Sequence, residues 1–355
     1  MGKHAGIAGA GLIGRVLAFY LVEKGWQVTL FDPDDRDGKQ SCGLAGAGMI
    51  TPYAELEKAE PMIHQMGLVS LDLWPQLIAR LKGSVFFQRE GSLVVAHRQD
   101  VQDLESFKRN VRAKLDDPNK MVEMAGLDIA RLEPSLGSRF SQGVFFPDEG
   151  HIEGWDLFPA LEKYLTEKQV CWHKKEVTQV LPGQIVTADT TYSFDLAVDC
   201  RGLGAKPELP QLRGVRGELI AVNAPDVSLN RPVRLVHPRY PLYVVPRPGN
   251  TFLIGATSIE SEDLGPITIR SALELLTAAY SLHSGFAEAR IMNFSVNCRP
   301  ALADNMPRIF HEPGLIRVNG LYRHGYLIAP AVATAVTNLL ESGSSAVQFP
   351  ELLVA

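Results

Sequence analysis

Three glycines, Gly9, Gly11 and Gly14, are spaced Gly-x-Gly-x-x-Gly within "GIAGAGLIGRVLAFYLVEKGWQVTLFD". An apolar strand precedes them and a helical pattern follows, with Ala18, Leu21 and Gly25 suited to close helix–sheet packing. A second strand, Val28 to Phe31, ends in Asp32, eighteen residues beyond Gly14. In this setting Gly9 permits a tight turn, Gly11 lets a pyrophosphate approach the backbone, and Gly14 lets the helix touch the strand. The helix N-terminus offers free N–H groups to phosphate oxygens. Asp32 would accept hydrogen bonds from ribose hydroxyls and disfavours a 2′-phosphate. The pattern does not choose between FAD and NAD. A second stretch, "NGLYRHGYLIAP", sets Tyr322-Arg323-His324 between Gly320 and Gly325, ahead of an apolar run. A core segment would not choose an arginine there, and a surface loop would not continue with Leu-Ile-Ala-Pro. A guanidinium pairs bidentately with a carboxylate, and in a closed pocket it is costly until an anion arrives.

The elements that would position these groups alternate in kind. After the strand–turn–helix–strand opening, residues 62–82 carry a helical pattern. "VFFQREGSLVVAH" reads as a hairpin around Glu90-Gly91. Helical patterns follow near 100–115 and 125–132, and again in "GWDLFPALEKYLTEK". Short strands fill 170–200, and "LYVVPRPGNTFLIG" is the clearest hairpin of the 217–256 stretch. Residues 269–282 are helical, "EARIMNFSVNCRP" is a strand, and a last helix runs from about 329 to 341, with Pro330 in its first turn. A βαβ start, a β-rich middle and a helical return predict a nucleotide-binding sheet interrupted by a second domain.

The whole chain narrows the function. Its 355 residues suit two domains, or one with a large insertion. Hydrophobic residues make up 46% and charged residues 21%, as in a water-soluble globular protein with a sizeable core. The net charge of −5 and the lack of a basic run argue against nucleic acid as a partner. No run is long enough to span a membrane, and Arg15 interrupts the one N-terminal stretch that imitates a signal peptide. Cys42, Cys171, Cys200 and Cys298 show neither disulfide nor zinc spacing, so no metal is expected and a reducing, cytoplasmic setting fits. The sequence leaves a homo-oligomer open.

Five segments together resemble the FAD-dependent D-amino-acid oxidase superfamily, and within it glycine oxidases of the thiamine-pathway type. They are the glycine-rich opening, "SCGLAGAGMITPYAELE", "DLAVDCRGLGAK", "YVVPRPGNTFLIGAT", and the pair "CRPALADNMP" and "NGLYRHGYLIAP". The last pair is similar to the family's Arg-Pro-x-x-x-Asp-x-x-Pro and Gly-x-x-Arg-x-Gly-x-x-x-Ala-Pro, with His324 where the family usually has asparagine. The resemblance implies an α/β protein: a Rossmann-like FAD-binding domain with an inserted α+β substrate domain on a mostly antiparallel sheet. The expected boundaries are 1–83, 142–213 and 298–355 for the first and 84–141 and 214–297 for the second.

It further implies non-covalent FAD held at Gly9, Gly11, Leu12, Ile13, Gly14, Asp32, Ser41, Gly46, Ala47, Gly48, Met49, Val177, Gly202, Gly204, Arg299, Gly320, Tyr322, Arg323, His324, Gly325, Tyr326 and Leu327. Arg299 would hold a substrate carboxylate, with Arg323 and Tyr243 near the same pocket. The implied reaction is oxidation of the amine of glycine, a D-amino acid or an N-methyl amine to an imine, with oxygen as acceptor. A quinone-linked dehydrogenase, a tRNA-modifying amine oxidase and a flavoprotein that serves a partner are the alternatives. The residues alone leave Arg299 free to pair with Asp304, Arg323 to bridge domains, and Tyr243 to be a core aromatic. Glu55 and Glu57 read as a solvated loop face. Cys298 reads as a small buried strand residue, since no flavin-attachment pattern surrounds it. His324 is assigned no role.

Overall fold

The computed structural model describes residues 2–237 and 242–354. Strand β1 (His4–Ala8) is buried from Ala5 onward and pairs in parallel with β2 (Gln27–Asp32) on one side and with Leu196–Asp199 on the other. Helix α1 (Leu12–Glu23) crosses between β1 and β2 and buries Leu12, Gly14, Val16, Leu17, Ala18 and Leu21. Cys171–Lys174 extends the parallel run beyond β2, and Leu315–Asn319 extends it beyond Leu196–Asp199. A C-terminal hairpin with Arg308–Glu312, edged by Leu353–Val354, completes a seven-stranded sheet. Parallel strands buried on both faces read as continuous apolar runs, which is why this part was legible. The last strand of that run and the final helix come from the C-terminal third, so chain ends meet in one sheet.

A nine-stranded, mostly antiparallel sheet forms the second unit. It runs Ile259–Glu260, Arg213–Asn223, Thr251–Gly255, Leu242–Arg247, Val233–Val236, Ser92–Ala96, Gln142–Phe146, Val122–Ala125, and Arg290–Ala301 pairs along Arg213–Asn223. The helix Ile269–Leu282 packs Leu275, Ala278, Ala279 and Leu282 against Ile220, Phe252 and Ile254. The predicted hairpin Leu242–Gly255 forms, with Val244 opposite Ile254. We propose a two-domain division centred on these two sheets, with Gln142–Phe146 assigned to the second because its hydrogen bonds lie there.

Two expectations are corrected. "VFFQREGSLVVAH" is not a hairpin. Phe87–Gln88 joins a small sheet with Gly150–Ile152, whereas Ser92–Ala96 lies between Val233–Val236 and Gln142–Phe146. All five residues of Ser92–Ala96 are buried, and such a strand needs partners on both edges, which the two-residue Phe87–Gln88 cannot supply. The final helix starts at Gly325, not near 329, so Pro330 lies inside it. Proline cannot donate to the carbonyl four residues back. That carbonyl, Tyr326 O, accepts a hydrogen bond from Trp74 Nε1 at 2.8 Å instead. The vacated bond is satisfied by tertiary contact, which a local reading cannot see.

Candidate active site

The glycine turn divides its labour. Gly9 has φ +95°, and its N–H donates to Phe31 O at 2.8 Å. A β-carbon at Gly14 would overlap the Gly9 carbonyl, so these two glycines make the turn itself. Gly11 differs. It caps α1 with ordinary φ, and a β-carbon there would meet only Ser41 Oγ, at 3.3 Å. The space over Gly11 is therefore open, and α1 begins with neither a side-chain cap nor an acidic residue. Asp32 accepts from Ala10 N at 2.6 Å and Asp34 N at 2.9 Å, tying β2 to the turn. Leu12 is buried beside Gly43, and Ile13 packs on the core.

The segment from Ser41 to Met49 leads from this turn to a cavity. Gly46 approaches the Tyr326 ring. Gly48, at φ +64°, leaves no room for a β-carbon against Ile152 O, while its own carbonyl accepts from Ile152 N at 2.9 Å. Arg247, buried, fixes the segment: Nη2 donates to Ala47 O at 2.7 Å and Ile152 O at 2.9 Å, and Nε pairs with Glu153. Burial, reinforced by the Arg247 charge, lowers the His151 imidazole to about 3, so it remains neutral beside Arg247 Nη1 at 2.6 Å.

The cavity, about 180 Å³, lies between the nine-stranded sheet, the Cys42–Glu55 segment and the start of the last helix. Gly46, Ala47, Gly48, Met49, Tyr243, Arg299, Arg323, His324, Tyr326 and Leu327 all line it, so the structure brings together all three residues expected to do chemistry. The remaining expected cofactor contacts do not line it. Gly9, Gly11, Leu12, Ile13, Gly14 and Asp32 lie at the turn. Val177 accepts from Arg201 Nη1 at 3.1 Å near Gly202 and Gly204, at the end of Leu196–Asp199. Gly320, at φ +79°, and Tyr322, at φ +49°, shape the entry into the last helix, which Gly325 begins.

Arg299 sits on the strand Arg290–Ala301 with its guanidinium over Gly217. Nη1 donates to Thr257 O at 3.2 Å. Among the described residues no carboxylate pairs with it. Asp304, the alternative partner, accepts from Arg308 Nη2 at 2.6 Å and Met306 N at 3.0 Å. Tyr243, on the Leu242–Arg247 strand of the same sheet, has its phenol pushed above the usual range by burial and by Glu55, against the opposing charges of Arg299 and Arg323.

Arg323 is committed. Its Nη2 lies 2.7 Å from Glu55 Oε2, and His324 Nδ1 lies 3.5 Å from the same oxygen. Burial would raise the Glu55 carboxyl, but Arg323, then His324 and Arg234, hold it at about 2. Burial lowers His324 to about 4, so it is neutral near pH 7. Glu57 pairs with Arg234. The solvated-face reading of Glu55 and Glu57 is thus corrected: both are counter-ions to cavity arginines. The signal was present in the sequence, since arginines in apolar surroundings require partners. Glu149 was missed outright. It is fully buried, accepts from Ala54 N at 2.7 Å and from the Ser92 hydroxyl, and burial raises it to about 8. Cys298 Sγ faces the carbonyls of Ser261 and Asp263, and Cys298 does not line the cavity. Among the described residues no His, Cys, Asp and Glu cluster is arranged to hold a metal.

The family model for DAO, FAD dependent oxidoreductases, matches residues 4–339, spanning both the turn and the cavity. The chain belongs to the DAO family of FAD-dependent oxidoreductases. It is 41% identical over 334 residues to the Rhizobium etli protein named for a thiamine biosynthesis oxidoreductase, ThiO, covering 94% of this chain and 95% of that one. It is 25% identical to a glycine oxidase of Geobacillus kaustophilus over 96% of this chain and 93% of that one. The solved glycine oxidase of that organism shares the fold at TM-score 0.83, with 22% identity and 99% of each chain covered. An iminodiacetate oxidase of a Chelativorans species shares it at TM-score 0.81, with 20% identity and 95% of each chain covered. The DAO-family FAD fits the residues present. The open space over Gly11, the bare helix start and the Asp32 carboxylate suit an adenosine diphosphate moiety, while the small-residue segment Gly46–Gly48 leaves the cavity wall accessible to a flat ring.

Proposed function

We propose that this flavoenzyme oxidises the amine of a small amino acid, such as glycine, a D-amino acid or an N-methylated relative, to an imine, with oxygen as the acceptor. The observation that carries the reading is the Arg299 guanidinium: it lines the cavity next to Tyr243 and is met by backbone carbonyls but by no described carboxylate. A planar fork left without a counter-ion in a confined pocket is suited to a substrate carboxylate. Arg299 binds that carboxylate, and the protonated Tyr243 hydroxyl is available to donate to it. Gly9, Gly11, Gly14 and Asp32 hold the dinucleotide portion of FAD, and Gly46 to Met49 with His324 to Leu327 flank its ring. When bound, FAD supplies the hydride acceptor. The chain's own contribution is position. His324 is neutral and Arg323 is ion-paired, so it is the partial desolvation of the amine in the cavity that disfavours its charged form and lets it react unprotonated without a dedicated base. Water then hydrolyses the released imine.

The name of the Rhizobium relative supports a role in thiamine biosynthesis, and we extend that role to this chain. Four free cysteines fit the reducing cytoplasm. Among the described residues no helix is long and apolar enough to cross a membrane. The test is an anaerobic screen of amino acids and N-methyl amines, followed by loss of flavin absorbance. Bleaching by glycine or a small relative, and hydrogen peroxide on readmission of air, is expected. A flavin that no amine reduces would remove the reading, and reduction without peroxide would replace oxygen by another acceptor.

A further inference from the structure

Among the described residues three guanidiniums line the cavity, those of Arg234, Arg299 and Arg323, and they are not equivalent. Arg234 pairs with Glu57 and also donates to Ala54 O at 3.3 Å. Arg323 pairs with Glu55 at 2.7 Å. Arg299 meets the Thr257 and Arg216 carbonyls. The described part of the site therefore offers one uncommitted cation and two neutralised ones. We infer that Glu55 determines substrate class: by occupying Arg323 it restricts the pocket to amines bearing a single carboxylate and rejects those bearing two.

The physical argument is one of charge against charge. A first carboxylate is drawn to Arg299. A second, reaching across the cavity, meets Arg323 already satisfied and meets the Glu55 carboxylate itself. Glu55 is ionised throughout the physiological range, since Arg323 above all holds it at about 2 against the effect of burial. His324 offers no relief, being neutral. Tyr243 lies within the electrostatic reach of Arg299, Arg323 and Glu55 together, so these groups surround one space rather than separate ones. Like charges brought together in a partly desolvated site are disfavoured strongly enough to decide specificity. Replacing Glu55 by glutamine preserves size and removes the charge, releasing the Arg323 fork for a second carboxylate.

The inference rests on the amine-oxidase reading of the same cavity, and the experiment separates the two. The FAD-loaded enzyme and its Glu55→Gln and Glu55→Gln/Arg323→Met variants are titrated with acetate, carrying one carboxylate, and malonate, carrying two, following the flavin spectrum. Glycine and iminodiacetate are then compared in anaerobic flavin reduction. Flavin content and thermal melting check that each variant is folded. The expected result is that Glu55→Gln tightens malonate relative to acetate by about tenfold or more. Iminodiacetate should gain on glycine in the same variant, and the double variant should lose both gains. A merely structural Glu55 would weaken both ligands together. An unchanged malonate-to-acetate ratio in Glu55→Gln, or a gain that survives loss of Arg323, overturns this inference while leaving the function intact. Acetate that perturbs the flavin of no form overturns both.

Discussion

Gly217 lies directly beneath the Arg299 guanidinium, so close that a β-carbon at 217 would overlap Nη2. The two residues stand on adjacent strands, with Val215 opposite Arg299 and Gly217 opposite Asn297. Glycine here serves neither a turn nor a positive φ; it makes room for a side chain. Gly217→Ala is expected to displace the guanidinium and weaken use of the best amino-acid substrate by ~10- to 100-fold, mostly in half-saturation, since a misplaced positioning group has that scale of effect. Bound FAD should be unchanged. Flavin reduction kinetics beside flavin content check it; unaltered half-saturation would show that Arg299 does not set substrate affinity.

Arg299 itself should not tolerate lysine. Lysine keeps the charge and loses the fork. Leaving a carboxylate without its buried partner costs ~2–5 kcal/mol, so Arg299→Ala should weaken substrate use by roughly 30- to several-thousand-fold, with lysine failing to restore it. Asp304 is engaged by Arg308, so little loss of stability is expected from the change. Equal reduction rates and half-saturation in the alanine variant would identify Arg299 as structural.

Gly11 and Gly14 should fail differently. A β-carbon at Gly14 runs into the Gly9 carbonyl, and a backbone atom cannot move aside as a flexible side chain can. Gly14→Ala is expected to lower the melting temperature and the yield of folded protein. Gly11→Val puts its bulk into open space instead, so it should leave the apoprotein folded but colourless. Circular dichroism with a flavin spectrum separates the outcomes; a fully yellow Gly11→Val protein would mean that the pyrophosphate does not lie over this glycine.

Glu149 makes a stability prediction with a definite sign. Its folded carboxyl is raised from 4.5 to about 8 by burial. The folded state therefore holds a proton that the unfolded chain gives up near 4.5. Its stabilising contribution is full below that value and falls as pH rises toward 8. Glu149→Gln cannot titrate, so its melting temperature should fall less than that of the unaltered protein between pH 5 and pH 8. Parallel melting curves over that interval would show that the carboxyl is ionised when folded.

FAD should be held without a covalent bond. Cys298 faces the carbonyls of Ser261 and Asp263 and does not line the cavity. Acid precipitation is expected to leave the flavin in solution. Flavin that pellets with the chain, and is freed in Cys298→Ser, would reverse this reading.

Much of the fold could be read before any tertiary contact was known. Gly9, Gly14 and Asp32 announce their turn because its demands are local: a positive φ, a helix start, an acid ending the next strand. Val28 to Phe31 reads as a strand because it is a short β-branched and aromatic run, apolar but for Thr29. Arg299, Arg323 and Tyr243 were legible as chemistry only through the resemblance, since each could equally have been a structural side chain.

What the chain did not show was decided at long range. The burial of Ser92–Ala96 required partners from residues 142–146 and 233–236, which sent a local hairpin pattern into two sheets. The start of the last helix moved ahead of Pro330 because Trp74 could take up the orphaned carbonyl. Glu55 became a counter-ion, not a solvated charge, because folding carried it against Arg323 and out of water. Backbone geometry and hydrophobic periodicity act between near neighbours and are written along the sequence. Charge pairing and hydrogen-bond satisfaction act between groups that meet only when the sheets are assembled, so the identity of a partner belongs to the tertiary structure.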